Sequence, residues 1–353
     1  MDVTREDSML TALELVAPGS PLRLALEHII AARTGALVVI GDEEDVDSLS
    51  NGGFEINAPF TPQRLFELAK MDGAILLSTD ATCIRRANVH LMPNPALPTS
   101  ETGMRHRTAE RVSRQTEALV ISVSQRREVV NLYQQGRCVT LEKIDVILAK
   151  ANQALQTLER YRNRLDEVFE HLTALEFEDL VTFGDVAVVV QRMEMFRRVA
   201  REVNRHVIEL GTEGRLVRLQ ADELAAGCDE EYQMLARDYV RDPGPRKGSA
   251  VLAKMGGLTH DQLLDSSAIA AAFGYGSKAD ADELHVQPRG YRLLHHISAL
   301  PTSVMNRLVE RFGSLPGLLE ATDEELDAID GVGTRRAHAV ADGLRRMRER
   351  IVL

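Results

Sequence analysis

The spacing of hydrophobic residues changes near residue 141 and divides the chain into regions of different character. Short apolar runs of strand type lie at residues 36–40, 74–77 and 118–123. Between them, Ser20-Pro21 and Thr61-Pro62 each pair a capping residue with proline at a first helical position, and apolar residues at helical spacing follow. A hairpin over residues 129–141 is predicted to close this region. The pattern predicts an α/β domain with a mixed sheet over residues 1–141.

From about Asp145 the apolar residues keep a helical period. The first segment continues to Leu172 and predicts a helix on the order of 40 Å long. A second segment runs from Thr182 towards Leu210. Together they predict a helical bundle or spine over residues 142–288. The Pro- and Gly-rich cluster at 242–249 predicts a linker or exposed loop within it.

The last region, residues 289–353, predicts short helices separated by tight turns. Its segment 329–337 resembles the hairpin of a helix-hairpin-helix DNA-binding motif, in which two glycines let the backbone approach a phosphate. Six arginines and two acidic residues lie between Gly331 and Arg350, a local excess that favours a nucleic-acid backbone. The candidate DNA-binding residues are Gly331, Gly333, Arg335 and Arg336.

An earlier segment, residues 297–304, resembles a degenerate partner hairpin with Pro301 where a glycine is expected. A helix-capping turn or the start of a dinucleotide fingerprint is the alternative for Gly331 and Gly333. No predicted strand precedes them and the third glycine of that fingerprint is absent, which favours the DNA-binding interpretation.

Composition restricts the possible classes of protein. A chain of 353 residues with 27% charged and 44% hydrophobic residues is typical of a globular protein of two or three domains. The N-terminus lacks a signal sequence and no apolar run approaches a membrane span, so we expect a cytoplasmic protein without membrane contact. The net charge of −11 requires any nucleic-acid binding to be local.

The stretch from Gly103 to Arg111 carries the clearest chemical signal. Arg105, His106 and Arg107 fall in the first turn of a predicted helix, where the helix dipole already disfavours cations. A bound anion would supply the missing negative charge, which predicts a phosphate site. The alternative is a solvated basic turn.

Asp72-Gly73-Ala74, followed by Arg105-His106-Arg107 at this separation, resembles the paired signature of the diadenylate cyclase family. The layout of the whole chain is similar to that of family members with a C-terminal DNA-binding module. The resemblance implies a reaction that joins two ATP into a cyclic dinucleotide with release of pyrophosphate. It also implies Mg²⁺ or Mn²⁺ as cofactor, with Asp72 as the metal ligand.

The same resemblance assigns roles around the nucleotide. Arg105, His106 and Arg107 would act with Asp72 in catalysis, and Gly73 would let the backbone pass close to ATP. Met104 stands where family members usually carry threonine. The ATP-binding candidates are Gly73, Ala74, Leu91, Met104, Arg105, His106, Arg107, Thr108 and Ser124. Arg126 and Arg127 are further candidates for the triphosphate, although a solvated turn explains them nearly as well.

At the level of the whole protein, the resemblance implies a homo-oligomer, an octamer, associated with the nucleoid. It also implies binding to damaged or branched DNA without sequence specificity. The alternative is a non-enzymatic DNA repair or chromosome-binding protein whose α/β domain only senses a nucleotide. Asp72 discriminates between the two, because a pure nucleotide binder has no need of a carboxylate beside a polyanion.

Overall fold

The chain forms two compact units. The computed structural model describes residues 2–244, 246–276, 282–298 and 300–352. One unit comprises residues 1–153 and 203–219, and the other residues 154–202 and 220–353. The division into domains at 1–141, 142–288 and 289–353 stays a prediction.

A mixed sheet forms the centre of the first unit. Its strands are β1 (Ala36–Ile40), β2 (Ser50–Asn51), β3 (Phe54–Pro59), β4 (Ala74–Leu77), β5 (Cys83–Leu91), β6 (Leu119–Ser124), β7 (Val129–Gln134) and β8 (Arg137–Thr140). Their order is β2-β5-β4-β1-β6-β7-β8, with β3 also paired to β5. Strands β1 and β4 pair in parallel, whereas β6 runs antiparallel to β1 and β5 antiparallel to β4.

Helices cover both faces of this sheet. They are α1 (Asp2–Leu15), α2 (Pro21–Ala31), α3 (Glu43–Asp47), α4 (Pro62–Leu68) and α5 (Met104–Gln115). Leu37 and Val39 of β1 belong to the same core as Val112 of α5, while Val38 belongs to the core that contains Leu26 of α2. Because neighbouring side chains of β1 enter two different cores, its whole length is apolar.

The strand register places four strand ends at one edge of the sheet. Ala36 at the start of β1 lies opposite Val123 near the end of β6, and Ala74 at the start of β4 lies opposite Val89 near the end of β5. The segments that precede β1 and β4 and those that follow β5 and β6 therefore meet at this edge.

Several predicted elements are confirmed. Strands β1 and β4 have the predicted bounds, and Ser20 and Thr61 cap α2 and α4 with their side chains. The start of α5 at Met104 puts Arg105 in its first turn, as expected. Helix α1 and strands β2, β3 and β5 were missed. Strand β5 contains Arg85, Arg86 and His90, whose charge or polarity breaks the apolar run.

The remaining elements are helical. They are α6 (Ile144–Glu178), α7 (Phe183–Leu210), a 3-10 turn (Gly211–Gly214), α8 (Arg215–Ala225), α9 (Cys228–Tyr239), α10 (Lys247–Gly256), α11 (His260–Leu264), α12 (Ser266–Phe273), α13 (Tyr291–His295), α14 (Thr302–Phe312), α15 (Leu315–Glu320), α16 (Asp323–Asp327) and α17 (Gly333–Val352). The two predicted long helices are α6 and α7. The predicted loop at 242–249 is wrong in its second half, because α10 begins at Lys247; Pro245 lies outside the described residues. Among the described residues, no helix combines the length and apolar character that crossing a membrane requires.

The C-terminal helices form two hairpins around one core. Leu294 of α13, Leu308 of α14, Leu326 of α16 and Val340 of α17 are buried in the same cluster. In the predicted earlier hairpin, Pro301 precedes α14, and Ala299 lies outside the described residues. The two hairpins therefore share their apolar contacts rather than folding around separate cores.

A buried ion pair links α13 to α6. Arg292 donates to Glu176 and to the hydroxyl of Thr173 (2.7 Å), and both Arg292 and Glu176 are almost fully buried. Asp238 of α9 accepts the backbone N–H groups of Tyr291 (2.7 Å) and Arg292 (2.9 Å), at the start of α13. Charges removed from water are stable only when they are paired and hydrogen-bonded in this way.

Replacing Arg292 should therefore destabilise the second unit strongly. We expect Arg292→Met to cost about 3–5 kcal/mol of unfolding free energy, because Glu176 would keep its burial without its cation. Urea denaturation of the full chain, followed by circular dichroism, measures the loss. Arg164→Met is the matched control, because Arg164 pairs with Glu167 on the surface, and it should change stability by less than about 1 kcal/mol. Equal effects of the two substitutions would contradict the assignment.

Candidate functional site

A cavity of about 750 Å³ opens at the sheet edge where the four strand ends meet. Its wall includes most of the residues that the sequence singles out: Asp72, Gly73, Ala74, Leu91, Met104, Arg105, His106, Thr108, Ser124, Arg126 and Arg127. Arg107 is the exception, because its side chain is exposed and does not line this cavity. Arg107 lies about 200° around the helix axis from Arg105, so the two side chains point in nearly opposite directions.

The turn before β4 presents the carboxylate of Asp72. Its side chain is 98% exposed, and its nearest ionic partner is Arg105, with 3.9 Å between Oδ1 and Nη2. Asn88 fixes the turn by donating from its side chain to the Asp72 carbonyl (2.7 Å). The carboxylate is therefore held at the cavity by its backbone while its oxygens stay open to a ligand.

Gly73 is required by the sheet itself. Its φ is +90°, and a Cβ at this position would lie 2.8–3.0 Å from backbone atoms of Asn88 and Val89 on β5. Both features favour glycine. The expectation that Gly73 lets the nucleotide come close stays a prediction, and the structure adds the contact with β5 as a second reason for the glycine.

Gly35, just before β1, makes room for the guanidinium of Arg105. A Cβ on Gly35 would collide with Nη1 of Arg105 and would also lie 3.2 Å from the Val123 carbonyl. Helix α2 already ends at Ala31, so Gly35 is not needed to end it. Gly35 instead allows Arg105 to lie against the sheet edge.

The N-terminus of α5 adds backbone donors to this wall. Gly103 caps the helix without a side-chain hydrogen bond, and the first intrahelical bond is donated by the N–H of Arg107 to the Gly103 carbonyl (2.9 Å). The preceding N–H groups have no intrahelical acceptor, which suits them to an anion. Met104, the first residue of the helix, is 85% exposed, so its side chain packs little against the protein.

His106 is held by a hydrogen-bond network. Its Nδ1 lies 3.0 Å from the hydroxyl of Tyr133 on β7, and that hydroxyl donates to Glu101 (2.8 Å). Asn131 donates to the same hydroxyl (3.1 Å) and its carbonyl accepts from Thr140 (2.9 Å). Burial lowers the pKa of His106; Glu101 opposes this, and Arg127 and Arg105 add to it. The net effect favours the neutral form of the imidazole.

A buried carboxylate holds the loop that carries Glu101. Glu110 of α5 accepts from the hydroxyl of Thr99 (2.6 Å), from the N–H of Ser100 (3.1 Å) and from Arg114 (2.7 Å). Burial alone would raise the pKa of Glu110, but these hydrogen bonds outweigh it and lower the pKa. Glu110 therefore stays ionised and fixes the residues before Glu101.

The turn between β6 and β7 supplies further positive charge. Arg126 and Arg127 line the cavity there, and the Ser124 hydroxyl accepts weakly from the N–H of Arg127 (3.4 Å). Together with Arg105 they make three arginines at a cavity that also contains Asp72 and Glu101. The wall thus combines cations for an anionic ligand with one carboxylate that is open to solvent.

Sequence reasoning missed Glu101, Tyr133 and Asn131. The only signal was the alternation of β7, which puts residues 131 and 133 on one face of the strand. Glu101 lies in an irregular segment without periodicity, so nothing in the sequence connects it to Tyr133.

The predicted DNA-binding residues lie together in the last hairpin. Gly331 and Gly333 have φ values of +82° and +63° in the turn before α17, and a Cβ on Gly333 would meet nothing within 4 Å. Arg336 donates to the carbonyl of Gly331 (2.7 Å), so part of its hydrogen-bonding capacity supports the turn. Arg335 is exposed on the first turn of α17.

The fold and the site define an α/β domain with an anion-attracting cavity, followed by a helical region. Residues 23–138 match the family model of the DisA bacterial checkpoint controller nucleotide-binding domain, and residues 141–282 match that of the DisA linker region. The chain belongs to the DisA family, and its first unit contains the nucleotide-binding domain of that family.

Relatives named DNA integrity scanning protein DisA match nearly the whole chain. The protein of Acetivibrio thermocellus is 47% identical over 353 residues, which cover 100% of this chain and 98% of the relative. That of Frankia alni is 49% identical over 350 residues, covering 99% and 97%. That of Carboxydothermus hydrogenoformans is 47% identical over 345 residues, covering 98% of each.

The contact between Gly35 and Arg105 predicts that a single methyl group added at residue 35 affects ATP affinity more than stability. Because the backbone of Gly35 is not in the left-handed region, Gly35→Ala should leave the unfolding free energy within about 1 kcal/mol. It should nevertheless weaken ATP binding by about tenfold, since displaced Arg105 would lose a charge-assisted hydrogen bond to a phosphate. Calorimetric titration with ATP in EDTA measures the affinity.

Two glycines provide the comparison. Gly256→Ala, at a position where a Cβ meets nothing, should change neither affinity nor stability appreciably. Gly73→Ala should lower stability, because it combines positive φ with the close backbone of β5. Unchanged ATP affinity in Gly35→Ala would show that Arg105 does not depend on Gly35.

Proposed function

We propose that the protein is a metal-dependent diadenylate cyclase that condenses two ATP into cyclic di-AMP and releases pyrophosphate. We further propose that the C-terminal hairpins bind DNA and couple its state to this activity. The observation that carries the cyclase proposal is the open carboxylate of Asp72 beside three arginines in one cavity. Arginines alone would serve a nucleotide binder, whereas a free carboxylate beside a polyphosphate favours a site that also takes a metal.

The residues present suit Mg²⁺ or Mn²⁺ brought in with the nucleotide. Among the described residues, no group of three or more His, Cys, Asp or Glu side chains forms a complete metal site. Mg²⁺ commonly binds through one or two carboxylates, with substrate phosphates and water completing its shell. Asp72, with its oxygens exposed at the cavity, would hold such an ion. When bound, the ion would offset phosphate charge and help to activate the attacking hydroxyl.

The chain's own residues would supply placement and charge. Arg105, Arg126 and Arg127 would bind the triphosphate, and the free N–H groups at the start of α5 would add donors to its oxygens. Leu91, at the end of β5, is placed at the wall where its backbone could meet adenine. Holding the 3′-hydroxyl of one ATP in line with the α-phosphate of the other is the main contribution that such a reaction needs.

One chain carries one Asp72 and one Arg105, enough for one nucleotide. The product has two equivalent linkages, so two copies of the site must face each other around a two-fold axis. Arg107, exposed beside the cavity rather than within it, is available to the facing copy in such an arrangement. An octamer would contain four of these facing pairs.

The activity itself is tested directly. Incubating the full chain with ATP and Mg²⁺ or Mn²⁺ should give cyclic di-AMP and pyrophosphate, detected by chromatography and mass spectrometry. Asp72→Asn should abolish the product while retaining ATP binding. Binding of ATP without product under both metals would favour the alternative, a nucleotide-sensing DNA-binding protein.

Mixing competent and deficient chains tests the facing arrangement. If wild-type and Asp72→Asn chains are co-expressed equally and pair at random, about a quarter of the pairs will have two intact sites. Cyclic product should fall to about that fraction, and mixed pairs should accumulate the linear intermediate. A rate near half of wild type, without linear product, would mean that each chain works alone.

Substitution in the last hairpin tests DNA binding. Gly333→Ala should weaken binding to branched duplex DNA by about tenfold, because the turn would no longer let its backbone reach a phosphate. Fluorescence anisotropy at several salt concentrations measures the affinity and its salt dependence. Gly313→Ala is the control, since Gly313 also has positive φ and free space around its Cβ but lies after α14. Equal losses of DNA affinity in the two variants would mean that backbone strain causes the effect, and not a lost phosphate contact at Gly333.

A further inference from the structure

The network behind His106 determines which ring nitrogen carries the proton. Glu101 is a carboxylate and can only accept, so the single hydroxyl proton of Tyr133 is directed to Glu101 across 2.8 Å. Tyr133 is fully buried, and burial raises its pKa far above the ordinary range, so this proton is retained. The phenolic oxygen can then only accept from its other neighbours.

Two of those neighbours are N–H groups, on Asn131 and His106, and the third is the thiol of Cys138, a weak donor. Asn131 donates its amide N–H to the phenolic oxygen, and its own carbonyl accepts from Thr140, which fixes the orientation of the amide. The phenolic oxygen also lies 3.0 Å from Nδ1 of His106. A contact of this length requires a proton on Nδ1, because two acceptors would repel each other.

In a neutral imidazole, a proton on Nδ1 leaves a lone pair on Nε2. Nε2 is on the side of the ring away from Tyr133, and it has no hydrogen-bond partner among the residues that the structure describes. His106 lines the cavity, in which Arg105 and Arg127 disfavour a second proton on the ring. The ring therefore presents an acceptor at a cavity that also contains three arginines.

We propose that Tyr133 and Glu101 are positioning residues that fix His106 as an acceptor at Nε2. Nε2 of His106 then contacts either a ribose hydroxyl of ATP, which donates a hydrogen bond to it, or the metal ion bound with ATP. It does not contact a phosphate oxygen. Phosphate oxygens are themselves acceptors, so an Nε2 without a proton has nothing to donate to them. This inference rests on the proposed use of ATP and differs from the expectation that His106 belongs to a phosphate site.

Inorganic tripolyphosphate in EDTA separates the phosphate contact from the others, because it offers neither a hydroxyl group nor a bound ion. Arg105→Ala should weaken its binding about tenfold, whereas His106→Ala should change it by less than about twofold. Calorimetric titration of the full chain measures both. A loss in His106→Ala as large as that in Arg105→Ala would overturn the proposal.

ATP and its deoxy analogues identify the group that His106 contacts. If it is a ribose hydroxyl, His106→Ala should lose about tenfold in ATP affinity in EDTA. It should lose nothing for whichever analogue, 2′-deoxy-ATP or 3′-deoxy-ATP, lacks that hydroxyl. If it is the ion, the loss should appear only when Mn²⁺ is added, for ATP and both analogues alike. No loss under any of these conditions would overturn the contact.

The positioning roles are tested through the same contact. Tyr133→Phe keeps the ring but removes the hydroxyl, and Glu101→Gln lets the residue at 101 donate, which frees the tyrosine proton for Nδ1. Each should reproduce the His106-dependent loss with ATP and leave tripolyphosphate affinity unchanged. General damage to the cavity would lower the affinities for both ATP and tripolyphosphate, and that result would overturn the positioning roles. Unchanged ATP affinity in both variants would overturn them as well.

Glu117→Gln is the matched control for Glu101→Gln. Glu117 is exposed, bonds Gln135 and lies outside the cavity wall, so removing its charge should change neither affinity. The proposed function can fail separately from this inference. Wild-type protein that binds ATP with the predicted His106 dependence but forms no cyclic product would contradict the cyclase and leave the acceptor role standing.

Discussion

The site depends on the pairing of two parallel strands between antiparallel neighbours. Because β1 and β4 run in the same direction, their starts share an edge, and the antiparallel β6 and β5 bring their ends to it. Asp72 and Arg105 are therefore neighbours although two strands, a loop and the start of a helix separate them in sequence. A register shift of one residue in β4 would turn its side chains to the opposite face and move the Asp72 turn with it.

The sequence predicts the elements of this arrangement only where a single local pattern is sufficient to identify them. Strands β1 and β4 are buried on both sides, so an unbroken apolar run identifies each of them. The helix caps at Ser20 and Thr61 are likewise recognised from adjacent residues alone. Strand β5 escaped notice because its adjacent Arg85 and Arg86 break both an apolar run and a regular alternation, and register shifts interrupt its pairing with β4. The resemblance to a known family located Asp72 and Arg105, but it did not reveal the supporting roles of Gly35, Asn88 or Tyr133, which arise from contacts between distant segments.

Two kinds of polar group meet in the cavity, and they are held differently. Arg105 rests in a space left by a missing side chain, so its orientation depends on packing with Gly35. His106 is oriented by a chain of hydrogen bonds whose donors and acceptors are all assigned. Buried networks of this kind specify one arrangement when every member is satisfied. The cavity thus combines arginines, which supply positive charge, with the neutral imidazole of His106, whose protonated nitrogen is determined by Tyr133 and Glu101.

The buried pairing of Arg292 with Glu176 limits how the C-terminal hairpins could be exchanged during evolution. A recombination event between α12 and α13 would separate the cation from the Glu176 carboxylate, which lies more than a hundred residues earlier in the chain. The hybrid protein would have buried charges without partners unless the new hairpins and the helices that receive them already carried complementary charges. The hairpins and the helices that receive them are thus expected to be inherited together.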